Sequence, residues 1–358
     1  MNPIYILAAI LIFGLLVAVH ELGHFMTAKL CGVRVNEFSV GMGPVVWKKK
    51  IGETQYSLRA LPVGGFCAME GEDEDTGDER SFVRQGFWKK LLILTAGSGM
   101  NFLTGLVIIF CIYLGAGAFL TDQITGFAPG FPLEGETGLM EGDVFYKIDG
   151  YRTYLRGDAS MFLSYHTGDT IDIEVIRDGE RVVLDDLPMQ RREYTSTDGS
   201  TYTGFGLYVG AHVEEATFLS RVKYTWNTGL NFVQLVWFSL EQLFTGGASM
   251  EDLSGPVGIV STMTEIGSTS ETTGQALENI FYFGALLAVN LSVMNMLPIP
   301  ALDGGRVFFL IVDAVCMLLF KKKVPEKYQS VVNGAGFAVL MAFMLMVTFS
   351  DVFKLLRS

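Results

Sequence analysis

Charge is scarce in this chain. Of its 358 residues only 18% are Asp, Glu, Lys or Arg, while 50% are hydrophobic. A soluble domain carries about 25% charged residues, so the shortage argues against a wholly water-soluble fold. Positive charge is the scarcer sign, with 26 Lys and Arg against 38 Asp and Glu. Much of the acid lies between Thr121 and Glu278, where no large basic patch interrupts it. That argues against a nucleic-acid partner. Cysteine is equally sparse. Cys31, Cys67, Cys111 and Cys316 show no zinc-site spacing, and none lies in the acidic middle. They read as free, mostly buried thiols, with no disulfide framework. The apolar N-terminus lacks the basic flank and small-residue cleavage site of a signal peptide. A polar cluster follows it directly, so it reads as a retained membrane helix.

What the chain does have is long apolar runs. Four approach the roughly 20 residues that span a bilayer: residues 4 to about 30, 91 to about 120, 280–297 and 331–349. The third is slightly short. Lys29, Arg34, Lys48, Lys49, Lys50, Lys89 and Lys90 lie between the first two, and Lys321, Lys322, Lys323 and Lys327 between the last two. The excess of positive charge on the inner side of membrane proteins assigns both connections to the cytoplasm. The N-terminus, the acidic middle and the C-terminus are then outside.

Residues 126–189 read as a small β-rich domain. A strand at 145–148 is closed by Asp149-Gly150, and an alternating strand at 171–177 turns through Asp178-Gly179 into 182–184. Asp-Gly between two such runs is a strong hairpin signal. Residues 218–244 are apolar but broken by Arg221, Lys223, Asn227, Asn231, Gln234 and Glu241. They predict an amphipathic helix on the outer membrane face. The expected organisation is a span at 1–34, a β-loop at 35–70, a connection at 71–90 and a second span at 91–120. A β-rich domain at 121–192 and an amphipathic region at 193–276 follow. The third span is expected at 277–305, a helix and basic loop at 306–330, and a fourth span at 331–350.

Only four histidines occur, and two of them fall in His20-Glu21-Leu22-Gly23-His24. Positions i and i+4 share a helical face, so His20 and His24 can grip one metal ion. Glu21, one step round, can take a proton from an attacking water. The plainer alternative is two polar histidines closing a helix. Ionisable groups inside an apolar segment are costly and usually functional, which favours the ligand reading. A rise of about 1.5 Å per residue puts His20 about 24 Å along from Ile4, deep towards the cytoplasmic side. A catalytic zinc usually has three protein ligands. Asp303 is the candidate third, in the stretch Asn295 to Gly305. Two prolines and two glycines there break the helix and allow close approach. Alone, that stretch reads as a loop leaving the membrane; beside the histidine pair, the ligand reading wins.

At these residues the chain resembles the site-2 protease family of intramembrane zinc metalloproteases, in the bacterial branch like the regulator of sigma-E protease. HELGH at 20–24 and NMLPIPALDGG at 295–305 are similar to the family's two zinc-site motifs. YSLRALPVGGF at 56–66 resembles its membrane-associated β-loop, and FSVGMGP at 38–44 the segment opening that loop. AGSGMNF at 96–102 resembles the second-helix motif, although Ser98 stands where the family often has proline. GPVGI at 255–259 is similar to the motif before the third span, and the β-rich middle looks like one PDZ domain.

The resemblance implies a polytopic α-helical membrane protein of four spans with one extracytoplasmic PDZ-like domain. It implies one zinc ion on His20, His24 and Asp303, with Glu21 as general base. It suggests that Asn295 holds the substrate backbone or polarises the scissile carbonyl, an interhelical hydrogen bond being the plain alternative. Asn101 has the same two readings. Gly97, Gly99 and Gly105 are expected to serve helix packing, and His166 and His212 to be ordinary surface histidines. Glu70 to Glu79 is expected to be a solvated turn. A β-loop with free backbone groups can add an unwound substrate as a strand, with Tyr56, Ser57 and Leu58 as the expected contact. The partners implied are the bilayer and transmembrane proteins or remnant signal peptides, pre-cut by another protease. The β-rich domain then gates access rather than docking substrate. Two other classes compete. A metal transporter would need polar residues along several spans, and the second and fourth offer almost none. An inactive PDZ-bearing scaffold would be expected to have lost Glu21 or a ligand.

Overall fold

The computed structural model describes residues 3–72, 74–195, 201–247, 254–322 and 325–357. Helix α1 (Pro3–Leu30) ends in a Schellman turn. Gly32 takes a positive φ, with Gly32 N donating to Lys29 O and Val33 N to Ala28 O, the pattern that satisfies the last carbonyls of a helix. Strands β1 (Val35–Ile51) and β2 (Thr54–Met69) follow. Both bend where glycines adopt φ of 82–86°, at Gly41 and Gly43 in β1 and at Gly64 in β2. The bends fold each long strand into two segments, and the sheet becomes four segments wide. Residues 37–40 pair with 65–68 on one side and with 55–58 on the other; residues 55–58 pair in turn with 47–50.

Helix α2 (Phe87–Tyr113) stops seven residues before the expected end of the second span. Gly115 and Gly117 lie just beyond it, and Arg221 donates to the freed carbonyls of Tyr113 and Ala116 at 3.0 and 3.1 Å. Leu120 belongs instead to β3 (Ala118–Phe127). Then come β4 (Val144–Ile148), β5 (Tyr151–Arg152), α3 (Asp158–Tyr165), β6 (Ile171–Arg177), β7 (Glu180–Leu187), β8 (Arg192–Thr195), β9 (Thr201–Gly204) and β10 (Leu207–Glu215). The sheet runs β10-β3-β4-β6-β7, with β5 on β4, while β8 and β9 pair apart. Both Asp-Gly turns have positive φ at both residues, as type I′ hairpin turns require. Ile124, Leu139, Ile148, Ile171 and Ile173 are fully buried in this unit.

The β-rich unit is longer than residues 126–189. Strand β10 pairs with β3 along its whole length, from Leu207 opposite Phe127 to Glu215 opposite Ala118. Helix α4 (Phe218–Thr245) explains its own polar interruptions. Asn231 donates to Asp158 at 2.8 Å, and Gln234 bonds both backbone groups of Arg152. Lys223 and Tyr224 reach Glu214. These groups tie the helix to the sheet side of the unit rather than meeting water.

Helices α5 (Pro256–Thr269), α6 (Thr273–Asn295), α7 (Asp303–Phe320) and α8 (Glu326–Arg357) complete the chain. Helix α6 starts seven residues before the expected third apolar run, capped by Thr272 accepting from Gln275 N, an ordinary N-cap. Among the described residues four helical stretches are long and apolar enough to cross a membrane: Ile4–Leu30, Phe87–Tyr113, Thr273–Asn295 and Tyr328–Lys354. One buried cluster joins α1, α5 and α6 through Ala9, Leu16, Met263, Ile280, Leu287 and Ala288. In lipid such contacts rest on close packing rather than on water exclusion, which suits the small residues among them. A second cluster joins the end of α1, β1, β2, α2 and α7 through Ala28, Val35, Cys67, Ile93 and Val307.

The GPVGI stretch also acquires a structural role. Asp351 of α8 is 3% exposed and accepts from Gly255 N at 2.9 Å and Gly258 N at 2.8 Å. A Cβ on either glycine would lie 3.0–3.1 Å from that carboxylate, so glycine leaves the space it needs. Asp351→Ala orphans two donors at the start of α5. It should lower unfolding stability in detergent by about 1.5–3 kcal/mol, the range for hydrogen bonds to a charged group, as read by chemical denaturation.

Candidate active site

One turn of α1 presents His20 and His24, and the backbone of two other helices closes on them. At Gly23 a Cβ would stand 2.5 Å from Ala96 O, so glycine lets α1 and α2 touch. At Gly97 a Cβ would stand 2.3 Å from His24 Nε2 and 2.7 Å from His20 Cε1. Gly97 therefore serves packing, but against the histidine rings themselves. Gly105 packs on α6 beside Val289 and Ala285, whereas Gly99 has nothing within 4 Å. Ser98 passes its carbonyl to Ser292 Oγ at 2.7 Å, which ties α2 to α6.

Asp303 arrives from the other direction. After α6 ends at Asn295, Pro298 and Pro300 prevent its continuation, and Ala301 takes a φ of 72°. A Cβ at Gly304 would lie 2.3 Å from the carbonyls of Met296 and Leu297, and one at Gly305 2.3 Å from that of Ile299. The chain can therefore coil tightly and restart as α7 at Asp303. Asp303 Oδ2 then lies 3.2 Å from His20 Nε2 and 3.2 Å from His24 Nε2. The two Nε2 atoms are themselves 3.2 Å apart.

This triangle fits a metal ion on its own chemistry. His24 Nδ1 faces the carbonyl of Ile93 at 2.8 Å, so it carries the ring proton and Nε2 presents a lone pair. Asp303 Oδ2 is buried with no hydrogen-bond partner. In that tautomer the lone pair of His24 Nε2 and the carboxylate of Asp303 face each other, and a cation between them satisfies both. In a tetrahedron the ligand–ligand edge is about 1.6 times the metal–ligand distance, so zinc bonds of about 2.0–2.1 Å ask for edges of about 3.3–3.4 Å. The observed edges match one face of that tetrahedron to within 0.2 Å or so. His20, His24 and Asp303 are the candidate metal group among the described residues.

Glu21 sits one step round α1, within electrostatic reach of His20, His24 and Asp303. It is covered by β2, since a Cβ on Gly65 would stand 3.1 Å from Glu21 Cγ and 2.9 Å from Ser39 O. Gly65 thus lets the sheet approach Glu21, a role that no local sequence signal announces. Asn295 is half-buried at the end of α6 and is not one of the converging ligands. Asn101 is buried beside His20, with Nδ2 3.5 Å from His20 Nδ1.

Tyr56, Ser57 and Leu58 are not where an added strand could pair. Each has a β1 partner on both sides: Phe38 and Lys49 for Tyr56, Ser39 and Lys48 for Ser57, Val40 and Trp47 for Leu58. Tyr56 packs on Phe25 and Phe38, and Ser57 Oγ donates to Glu37 at 2.6 Å. Their backbone groups are consumed by the sheet's own ladder, which leaves none for a visitor. The outer segments are 45–51 and 65–69, and the second includes the glycine against Glu21.

Two further expectations change. His166 is not an ordinary surface residue: its ring is 7% exposed and bonds Asp149 at 2.7 Å. The segment from Glu70 to Glu79 is not merely solvated, because Glu72 pairs with Arg306 of α7 and Asp75 with Arg84 at 2.8 Å. Asp73 lies outside the described residues. Arg306 stands three residues after Asp303, a spacing that could have drawn attention to it.

The chain is similar to known proteins along nearly its whole length. The model of peptidase family M50 matches residues 8–343. A relative from Clostridium perfringens is 34% identical over 97% of this chain and 98% of its own length. The zinc metalloprotease RasP of Shouchella clausii is 29% identical over 98% of this chain and 99% of its own length. The regulator of sigma-W protease RasP of Bacillus subtilis is 27% identical over 98% of both. With a match that runs from the first apolar helix into the last, this chain belongs to peptidase family M50, the site-2 protease family of zinc metalloproteases.

Proposed function

We propose that this peptidase cuts single-pass membrane proteins or remnant signal peptides within or at the edge of the bilayer. The carrying observation is the 3.2 Å triangle of His20, His24 and Asp303, whose two histidines lie on a helix apolar enough to span a membrane. In this reading these three residues hold one zinc ion and Glu21 is the general base. A zinc ion so held supplies Lewis-acid polarisation of the scissile carbonyl and lowers the pKa of water. Glu21 takes a proton from the water as its oxygen attacks the carbonyl carbon. The same carboxyl then gives that proton to the leaving nitrogen as the C–N bond breaks. Asn295 is proposed to hold the substrate backbone nearby.

A peptide bond in a membrane helix is shielded by its own hydrogen bonds and by lipid, so the substrate must unwind first. An unwound stretch needs a free sheet edge. The outer edge of residues 65–69 is the one whose glycine touches Glu21, and we assign strand addition there. Of the adjacent Phe66 and Cys67 one turns its N–H to β1 and the other to the outer edge; proline at the outward one removes a donor from that edge and should cut cleavage at least tenfold more than alanine at the same position. Proline at Tyr56 or Leu58 should instead unfold the loop, detected as protease sensitivity of residues 35–70. Equal cleavage by the proline and alanine variants at Phe66 and Cys67 would remove the assignment.

The lysine distribution supports a cytoplasmic site for the two basic connections, with the β-rich unit, read as one PDZ-like domain, outside. The Bacillus relative is named for regulation of sigma-W. A membrane-anchored anti-sigma factor fits the substrate class, as does a signal-peptide remnant or pheromone precursor.

A further inference from the structure

Asn101 is 1% exposed on α2, too enclosed to reach a substrate. Its amide meets the nitrogen of His20 that faces away from the metal triangle, with Nδ2 3.5 Å from His20 Nδ1. Its Oδ1 is buried with no hydrogen-bond partner. A contact donated by Nδ2 would require Nδ1 to accept, and the proton of a neutral ring would then sit on Nε2. That is the atom 3.2 Å from both His24 Nε2 and Asp303 Oδ2, and a protonated nitrogen cannot ligate. A half-turn of the amide removes both defects. Oδ1 then accepts from His20 Nδ1–H, the buried oxygen gains its partner, and Nε2 turns a lone pair to the triangle.

His24 already shows the same arrangement, its Nδ1 donating to the carbonyl of Ile93 at 2.8 Å. Two ligands on one helical face therefore have their outer nitrogens met by α2, one by a backbone carbonyl and the other by an amide. We propose that Asn101 is a positioning residue: it accepts the Nδ1 proton of His20 and holds that ligand in its metal-binding tautomer. The other nitrogen of a zinc-bound histidine commonly needs such an acceptor, and losing it weakens metal binding. The inference rests on the assignment of zinc to His20, His24 and Asp303.

The test uses the full chain in detergent, with zinc affinity measured by chelator competition. Asn101→Leu keeps approximate shape but has no acceptor, and should weaken zinc by about 10–100-fold. Asn101→Asp keeps the acceptor and should stay within about threefold of wild type, since carboxylates fill this role for zinc histidines. Wild-type zinc affinity in Asn101→Leu overturns the proposal, and so does a loss in Asn101→Asp as large as in Asn101→Leu. Thermal unfolding of the metal-stripped variants shows whether each is folded. If Asn101→Leu does not fold, wild type still decides. Nitrogen-15 spectra of its four histidines should show His20 Nδ1 protonated in the zinc-loaded protein, and an unprotonated Nδ1 overturns the role. Failure of the underlying ligand set would look different: His24→Ala would keep wild-type zinc affinity.

Discussion

Glu21→Gln is expected to abolish proteolysis and leave the zinc in place. Glutamine keeps the size of the side chain beside Gly65 but cannot take a proton from water. Positioned general bases are worth about 10²–10⁴ in rate, so cleavage of a reconstituted transmembrane substrate should fall by that order. Metal content should not fall, because Glu21 is outside the triangle formed by His20, His24 and Asp303. The two readouts separate base from ligand. Near-wild-type cleavage would remove Glu21 from the mechanism, and loss of zinc would make it a ligand instead.

Asp303→Ala should remove both metal and activity. Its Oδ2 is the one contribution to the triangle from outside α1 and has no competing hydrogen-bond partner. Without it, two neutral imidazoles remain, and zinc affinity should fall by more than the 10–100-fold that a supporting residue costs. Asp303→Asn should keep some zinc but lose activity with the missing charge. Unchanged zinc in Asp303→Ala would place the third ligand elsewhere.

The candidate metal group is legible in the sequence because its chemistry is local and the background is apolar. His20 and His24 are one helical turn apart, and few other residues in the four apolar runs could ligate anything. Asp303 is legible as a candidate through the prolines and glycines around it, which announce a chain that stops being helical directly after an apolar run. The sheet beside the site was harder. Gly41, Gly43 and Gly64 mark possible bends, but linear order does not say that residues 55–58 end up between 37–40 and 47–50. The stretch most similar to a known loop motif therefore drew attention to its interior rather than to its free edge.

The end of α2 is hard to place from sequence for a related reason. Residues 114–120 remain apolar, and only the glycines at 115 and 117 signal a stop. Strand β10 gives no clear signal because Tyr208, Gly210, His212 and Glu214 occupy one alternating set, with too little contrast for a period-two reading. The sequence of α4 reads as an amphipathic helix, but it does not say what its polar side chains meet. Hydrogen bonds such as Asn231 to Asp158 and Gln234 to Arg152 join residues more than 70 positions apart, and no local pattern encodes them. Asn101 and Gly97 lie in a recognised motif, yet their roles depend on which ring atoms they face.

Zinc K-edge X-ray absorption on the zinc-loaded Glu21→Gln variant tests the central claim most directly, because it reads the ligands of a protein that cannot turn over. Two imidazoles and oxygen ligands at about 2.0–2.1 Å, with no sulfur shell, are the predicted result. A zinc–sulfur distance of about 2.3 Å, bringing in a cysteine, or a shell lacking the imidazole pair, would contradict it.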